Sequence, residues 1–97
     1  MTPVTISQTG VGNSAATKVD TFIAPFNIGF GVVVTGTVTY TVQHSFDGTG
    51  WFNHPDVAAE TANADGNYAF PVQYLRVSVT AGTGTAAMTY IQAGVNP

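Results

Sequence analysis

The chain has 97 residues, no cysteine, and a formal net charge of −3 from two basic and five acidic side chains. Charged residues make up 7% of it, against about 25% in an ordinary soluble domain, so Thr, Ser, Asn, Gln, Gly and stray apolar groups must cover the surface. With Lys18 and Arg76 as the whole basic complement, the composition argues against binding nucleic acid or an anionic membrane, since both draw affinity from several Lys and Arg side chains.

The first element is "MTPVTISQTG". It has neither the basic nor the apolar region of a secretory leader, and Met1 reads as an initiator, so a whole gene product is expected. Val4 and Ile6 alternate with Thr5 and Ser7, which predicts a strand over Val4 to Thr9, and "TGVGNS" then supplies a turn. In the next region Phe26, Ile28, Phe30, Val32 and Val34 fall on even numbers, as do Val38, Tyr40, Val42 and Phe46. Each run therefore has one apolar face. A hairpin closed by Thr35-Gly36-Thr37 keeps both even sets on one side and pairs Val34 with Val38; alternatively, the two strands belong to opposite sheets.

"PDVAAETA", residues 55–62, is too short for an independent helix and reads as a loop with one helical turn, started by Pro55 and Asp56. "YAFPVQYLRVSVTA" places Leu75, Val77 and Val79 on one face and Tyr74, Arg76, Ser78 and Thr80 on the other, with Pro71 at its start. After the turn "AGTGT", "AAMTYIQAG" forms a last strand with weaker alternation. Short strands, Gly-rich turns and no helix predict an all-β, antiparallel β-sandwich, jelly-roll-like, as a single domain over 1–97. Val38, Tyr40, Val42, Phe46, Leu75, Val77 and Val79 are expected in its core.

Few residues carry chemistry. His44 sits on the even, inward face, where a structural histidine with a backbone partner is favoured over a catalytic one. His54, in "WFNHPDV", is expected in a loop beside Asp56. Two isolated histidines with no cysteine make a poor zinc site, and no serine has the surroundings of an activated nucleophile. Asp47-Gly48 and Asp65-Gly66-Asn67 read as turns rather than calcium loops. Trp51 and Phe52 are expected to cap one end of the sandwich, the alternative being a ligand platform of Trp51, Phe52 and His54. No catalytic residue, cofactor or metal is assigned.

Two resemblances follow from the longer motifs. "YTVQHSFDGTGW", "YLRVSVTAGTG" and "TYIQAG" resemble the strand–turn elements of discoidin-like β-sandwich modules, over about a third of the chain. The order "GTVTYTVQHSFD", "WFNHP", "LRVSVTAGTGT", "IQAG" is similar to small virion proteins of tailed bacteriophages, from about Gly29 to Gly94. The second resemblance implies a non-enzymatic capsid decoration or cement protein, made in the host cytoplasm and carried on the virion surface, with the major capsid protein as partner. A carbohydrate-binding or host-adhesion module is the alternative. A domain of this length buries only roughly 60–65% of its unfolded surface, and its charge is scarce, so a homo-oligomer is expected, a trimer by the resemblance. Its interface is expected on Ala86, Met88, Tyr90 and Ile91, with Val4 and Ile6 as the second candidate.

Overall fold

Alternation of apolar and polar residues builds nine strands in a computed structural model that describes residues 4–19, 24–68 and 72–95. They are β1 (Val4–Thr9), β2 (Gly12–Asn13), β3 (Thr17–Lys18), β4 (Ala24–Thr35), β5 (Val38–Ser45), β6 (Trp51–Asn53), β7 (Ala64–Tyr68), β8 (Tyr74–Gly82) and β9 (Thr85–Val95). One sheet has the order β1-β9-β4-β7, and the other β2-β8-β5-β6, with β3 continuing the β2 edge along β8. All pairings are antiparallel. The fold is the all-β sandwich that the alternation predicts. Residues 55–62 form the expected loop, but without the helical turn expected in it. The Phe26 side chain and Pro71 lie outside the described residues.

The strand orders contain the logic of the fold. The run β1, β9, β4 in one sheet faces β2, β8, β5 in the other, and each facing pair is joined by a short segment. Three long strands, β1/β2, β4/β5 and β8/β9, therefore bend over one corner and become two layers. The segment Thr35–Val38 is such a corner and not a hairpin: β4 pairs with β9 and β7, while β5 pairs with β8 and β6. The parity argument survives because a corner, like an odd-residue hairpin loop, leaves both even sets facing inward.

Glycine makes this corner possible. Gly82 has φ +94°, and a Cβ there would lie 2.3 Å from the Thr37 carbonyl oxygen. A Cβ on Gly84 would lie equally close to the Thr35 oxygen. With no side chains in the way, the Gly84 N–H donates to Thr37 O (2.9 Å) and the Gly10 N–H donates to Gly84 O (3.0 Å). These two bonds tie all three bends together.

Between the layers lie the even-numbered residues of β4, β5 and β9 and the odd-numbered ones of β8. Val38, Tyr40, Val42, Leu75, Val77 and Val79 are buried as expected, joined by Ile28, Phe30, Val32, Ala86, Met88 and Tyr90. Phe46 departs from the expectation and is 51% exposed. Its strand ends at Ser45, so the period of two no longer fixes where residue 46 points.

Val77 has no exposed surface and lies in the central strand pair. Replacing it with Asp places an unpaired carboxylate in the core, at a cost comparable with a whole domain's stability of about 5–15 kcal/mol. Val77→Asp is expected to lose the β-type circular dichroism spectrum and the cooperative melt of the parent.

Candidate functional site

The excursion between β5 and β8 carries most of the residues with functional potential. It opens with a turn built by Ser45 and Asp47. Ser45 Oγ accepts the N–H groups of Gly48 (2.8 Å) and Asp47 (3.3 Å), and Asp47 Oδ1 accepts those of Thr49 (2.8 Å) and Gly50 (2.9 Å). The Gly50 and Thr49 amides hold the Asp47 carboxyl below its usual range. Asp47-Gly48 is thus a turn closed on its own backbone, with Gly48 at φ +84°. Asp65-Gly66-Asn67, expected as a turn, is instead inside β7 and pairs with Gly29 to Gly31 of β4. Gly66 is required there by packing, since a Cβ would meet the Phe30 ring at 2.9 Å and His54 Cε1 at 3.3 Å.

Trp51 and Phe52 are consecutive strand residues and point to opposite faces. Phe52 pairs with His44 and turns toward the inner face, whereas Trp51 pairs with Ser45 on the outer face. His54 lies in the expected loop beside Asp56, just after β6, and is buried. Its Nε2 donates to the Asn67 carbonyl (3.0 Å) and its Nδ1 accepts the Asp56 N–H (3.1 Å). Trp51, Phe52 and His54 therefore do not form one platform.

Inside, the two histidines flank a tyrosine. The Tyr68 ring meets His44 and His54 edge-on at centroid distances of 5.0 and 4.8 Å. His44 Nδ1 is hydrogen-bonded to the Tyr68 hydroxyl at 2.9 Å, a side-chain partner where a backbone one was expected. Phe30 packs behind His54, and Phe46 and Phe52 pack on His44 from the solvent side. Burial, followed by the neighbouring His54, lowers the pKa of His44, and burial raises that of Tyr68. This cluster closes the open side of the sandwich between edge strands β6 and β7, and both imidazoles serve that packing.

Compared with family models, with curated proteins and with solved structures, the chain matches none. The outer faces of the two sheets then carry what the site can do.

On the β1-β9-β4-β7 sheet the described outward residues other than Asp65 are uncharged, and most are small. Gly31 and Thr89 pair across the middle, as do Val33 and Ala87, and Gly29 and Ile91. Thr5 with Thr89, and Thr9 with Thr85, join hydroxyls at 2.8 Å. Val33 and Ile91 stand 59% and 49% exposed, and Gly31 opens a groove of about 410 Å³ beside Val33, Thr89 and Asp65. Ala86, Met88 and Tyr90, expected at an interface, are core residues of this sheet, because β9 turns its even positions inward. Val4 and Ile6 are half-buried against the same core. Of the expected interface set, Ile91 alone points outward from the face.

On the opposite sheet, Arg76, Gln43 and Asn53 lie in one row across β8, β5 and β6. Arg76 Nε donates to Gln43 Oε1 (2.8 Å), Gln43 Nε2 donates to Asn53 Oδ1 (2.9 Å), and the guanidinium lies 4.0 Å from the centre of the Trp51 ring. Sequence reasoning placed Arg76 outward but missed this row, whose members are brought together only by strand pairing.

The buried histidine sets a pH dependence. The unfolded chain protonates His44 near the ordinary 6.5 and the folded chain only at lower pH, so its contribution to stability is present above 6.5 and lost as the pH falls below it. The melting temperature is expected to hold steady above pH 7.5 and to drop between pH 7 and 5. His44→Phe, which keeps a ring in the cluster, should flatten that drop. A separate loss, from Asp47, begins only below its ordinary 3.8. A thermal-melt series across both windows checks each.

Proposed function

We propose that the protein is a non-enzymatic capsid decoration protein of a tailed bacteriophage, holding neighbouring capsid subunits together by adhesion. The observation that carries this reading is the outer face of the β1-β9-β4-β7 sheet. It is a four-stranded surface on which Asp65, at the β7 edge, is the one charged residue among those described, and it exposes Val33 and Ile91 beside the Gly31 groove. Surfaces of this kind are covered by protein in the working state. The low charge and the phage-like motif order agree with a place on the surface of a densely packed capsid.

Interface size points to self-association as well. Four strands of 6, 11, 12 and 5 residues, at about 4.8 Å spacing and about 3.3 Å per residue, give a face of roughly 500 Å². That is smaller than the roughly 800 Å² per partner of a standard stable interface. One copy would therefore hold weakly, whereas a symmetric oligomer engaging several subunits at once gains avidity. We propose a trimer, on the threefold positions that a capsid lattice offers, with the capsid protein as the second partner.

The reading is tested by co-sedimentation with empty expanded heads of the phage encoding the protein. Saturable binding is expected, and Val33→Lys with Ile91→Lys should weaken it by roughly tenfold or more, since each ammonium must be desolvated on docking. Both positions point to solvent, so the melting temperature should stay close to the parent's. Wild-type protein that stays in the supernatant would sink the proposal. Sedimentation of the free protein checks the oligomer, which must run heavier than the 10.0 kDa protomer.

A further inference from the structure

The outer face of the β2-β8-β5-β6 sheet differs in kind from the docking face. Both basic residues of the chain are on it. Arg76 projects outward from β8, and Lys18 pairs with outward-facing Tyr74. Among the described residues neither is matched by a carboxylate: Arg76 contacts Gln43 and Trp51, and the Lys18 side chain makes no ion pair. The carboxylate nearest Trp51 in sequence, Asp47, is engaged by the N–H groups of its own turn. A chain of net charge −3 thus gathers both of its basic side chains on one face, with no described carboxylate paired to either.

The hydrogen-bond polarity of the row adds direction. Arginine can only donate, so Gln43 must turn its oxygen toward Arg76 Nε and its amide nitrogen toward Asn53. Asn53 must then present its oxygen to Gln43, which leaves its NH₂ group pointing away. The orientation of both amides follows from the arginine, with no freedom to flip. What remains for a ligand is a set of donors: the terminal nitrogens of Arg76, the free hydrogens of Gln43 and Asn53, and the Lys18 ammonium. Trp51, stacked with the guanidinium, holds the fork in place and adds an aromatic edge. A planar, acceptor-only group is the complement of such a surface.

From this row we infer a binding site for a carboxylate-bearing saccharide of the uronic acid class, with Arg76 as the carboxylate anchor. Gln43 and Asn53 donate to ring or hydroxyl oxygens, and the edge of Trp51 left uncovered by the guanidinium packs against the sugar's apolar face. The row spans three strands, roughly 10 Å at the usual strand spacing, which is the length of one to two sugar rings. An extended protein surface is not required to fill it. The site lies on the sheet opposite the capsid-docking face, so it does not depend on that reading and remains open to the outside when that face is covered.

Trp51 is the sole tryptophan, so its fluorescence reads the site directly. Titration with trigalacturonate is expected to give a saturable change that is absent with the fully methyl-esterified trimer. Arg76→Met should weaken binding by roughly 10–100-fold, as loss of a charged hydrogen-bonding anchor does, and Lys18→Gln by only a few-fold. Because Arg76 also packs on Trp51, Asn53→Asp at an exposed edge position provides a second test. It inserts a carboxylate into the donor row and should abolish binding while the melt is retained. No response to trigalacturonate, an equal response to the ester, or saturation by oligoglutamate without response to the saccharide would each overturn the assignment.

Discussion

Three chain crossings, packed side by side through glycines, decide the shape of this protein. At Thr9–Gly12, Thr35–Val38 and Gly82–Thr85 the backbone leaves one sheet and enters the other. The middle crossing can lie between its neighbours only because Gly82 and Gly84 carry no Cβ: an added carbon at either would sit 2.3 Å from a carbonyl oxygen. The same closeness lets Gly84 both donate to Thr37 and accept from Gly10. A sandwich made this way has its two layers connected by continuous strands, so register in one layer fixes register in the other. That substitutes for the disulfide that a chain of this size lacks.

The bend also explains why the two outer faces differ so sharply. Every strand residue not used by the core faces outward on one layer or the other, and the corner allots the segments. The β9 and β4 segments supply Ala87, Thr89, Ile91, Gly29, Gly31 and Val33 to one face; the β8, β5 and β3 segments supply Arg76, Tyr74, Gln43 and Lys18 to the other. Edge strands β6 and β7 then come from the excursion after β5. They are held to the core by Tyr68 between two histidines and by the backbone pairing of Tyr40 with Glu60 and Val42 with His54 and Val57. Ala59, the one described non-glycine residue with positive φ, is fixed by its N–H bond to Thr41 Oγ1 (2.9 Å).

Sequence reading succeeded where a local rule sufficed. The alternation Val4, Ile6 set β1 at its observed limits, and the parity of Val38, Tyr40, Val42 and of Leu75, Val77, Val79 identified core positions. It failed where the deciding contact is distant in sequence. Whether Val34 to Val38 is a hairpin or a corner depends on β9 and β8, some fifty residues away, and parity is blind to the difference. Asp65-Gly66-Asn67 has turn chemistry, yet the glycine is there to clear the rings of Phe30 and His54. Ala86, Met88 and Tyr90 read as surface because Ala87 and Ile91 blur the alternation of β9. The row of Arg76, Gln43 and Asn53 had one faint signal, that all three take outward positions on strands.

The low charge and the unpaired arginine answer to one economy. A core this small leaves little stability in reserve, and an unmatched, partly desolvated guanidinium draws on that reserve, as the downward shift of the Arg76 pKa by burial indicates. Structural need alone does not call for it: an uncharged side chain at position 76 could pack on Trp51, and a neighbouring carboxylate could have matched the charge, as it does in most ion pairs. Instead the guanidinium is oriented by an amide whose remaining hydrogens also point outward. Holding a cation rigid while leaving its best bonds unmade lowers the entropy lost when an acceptor arrives. In a chain that spends so few charges, that arrangement is the strongest physical sign that the face meets an anion.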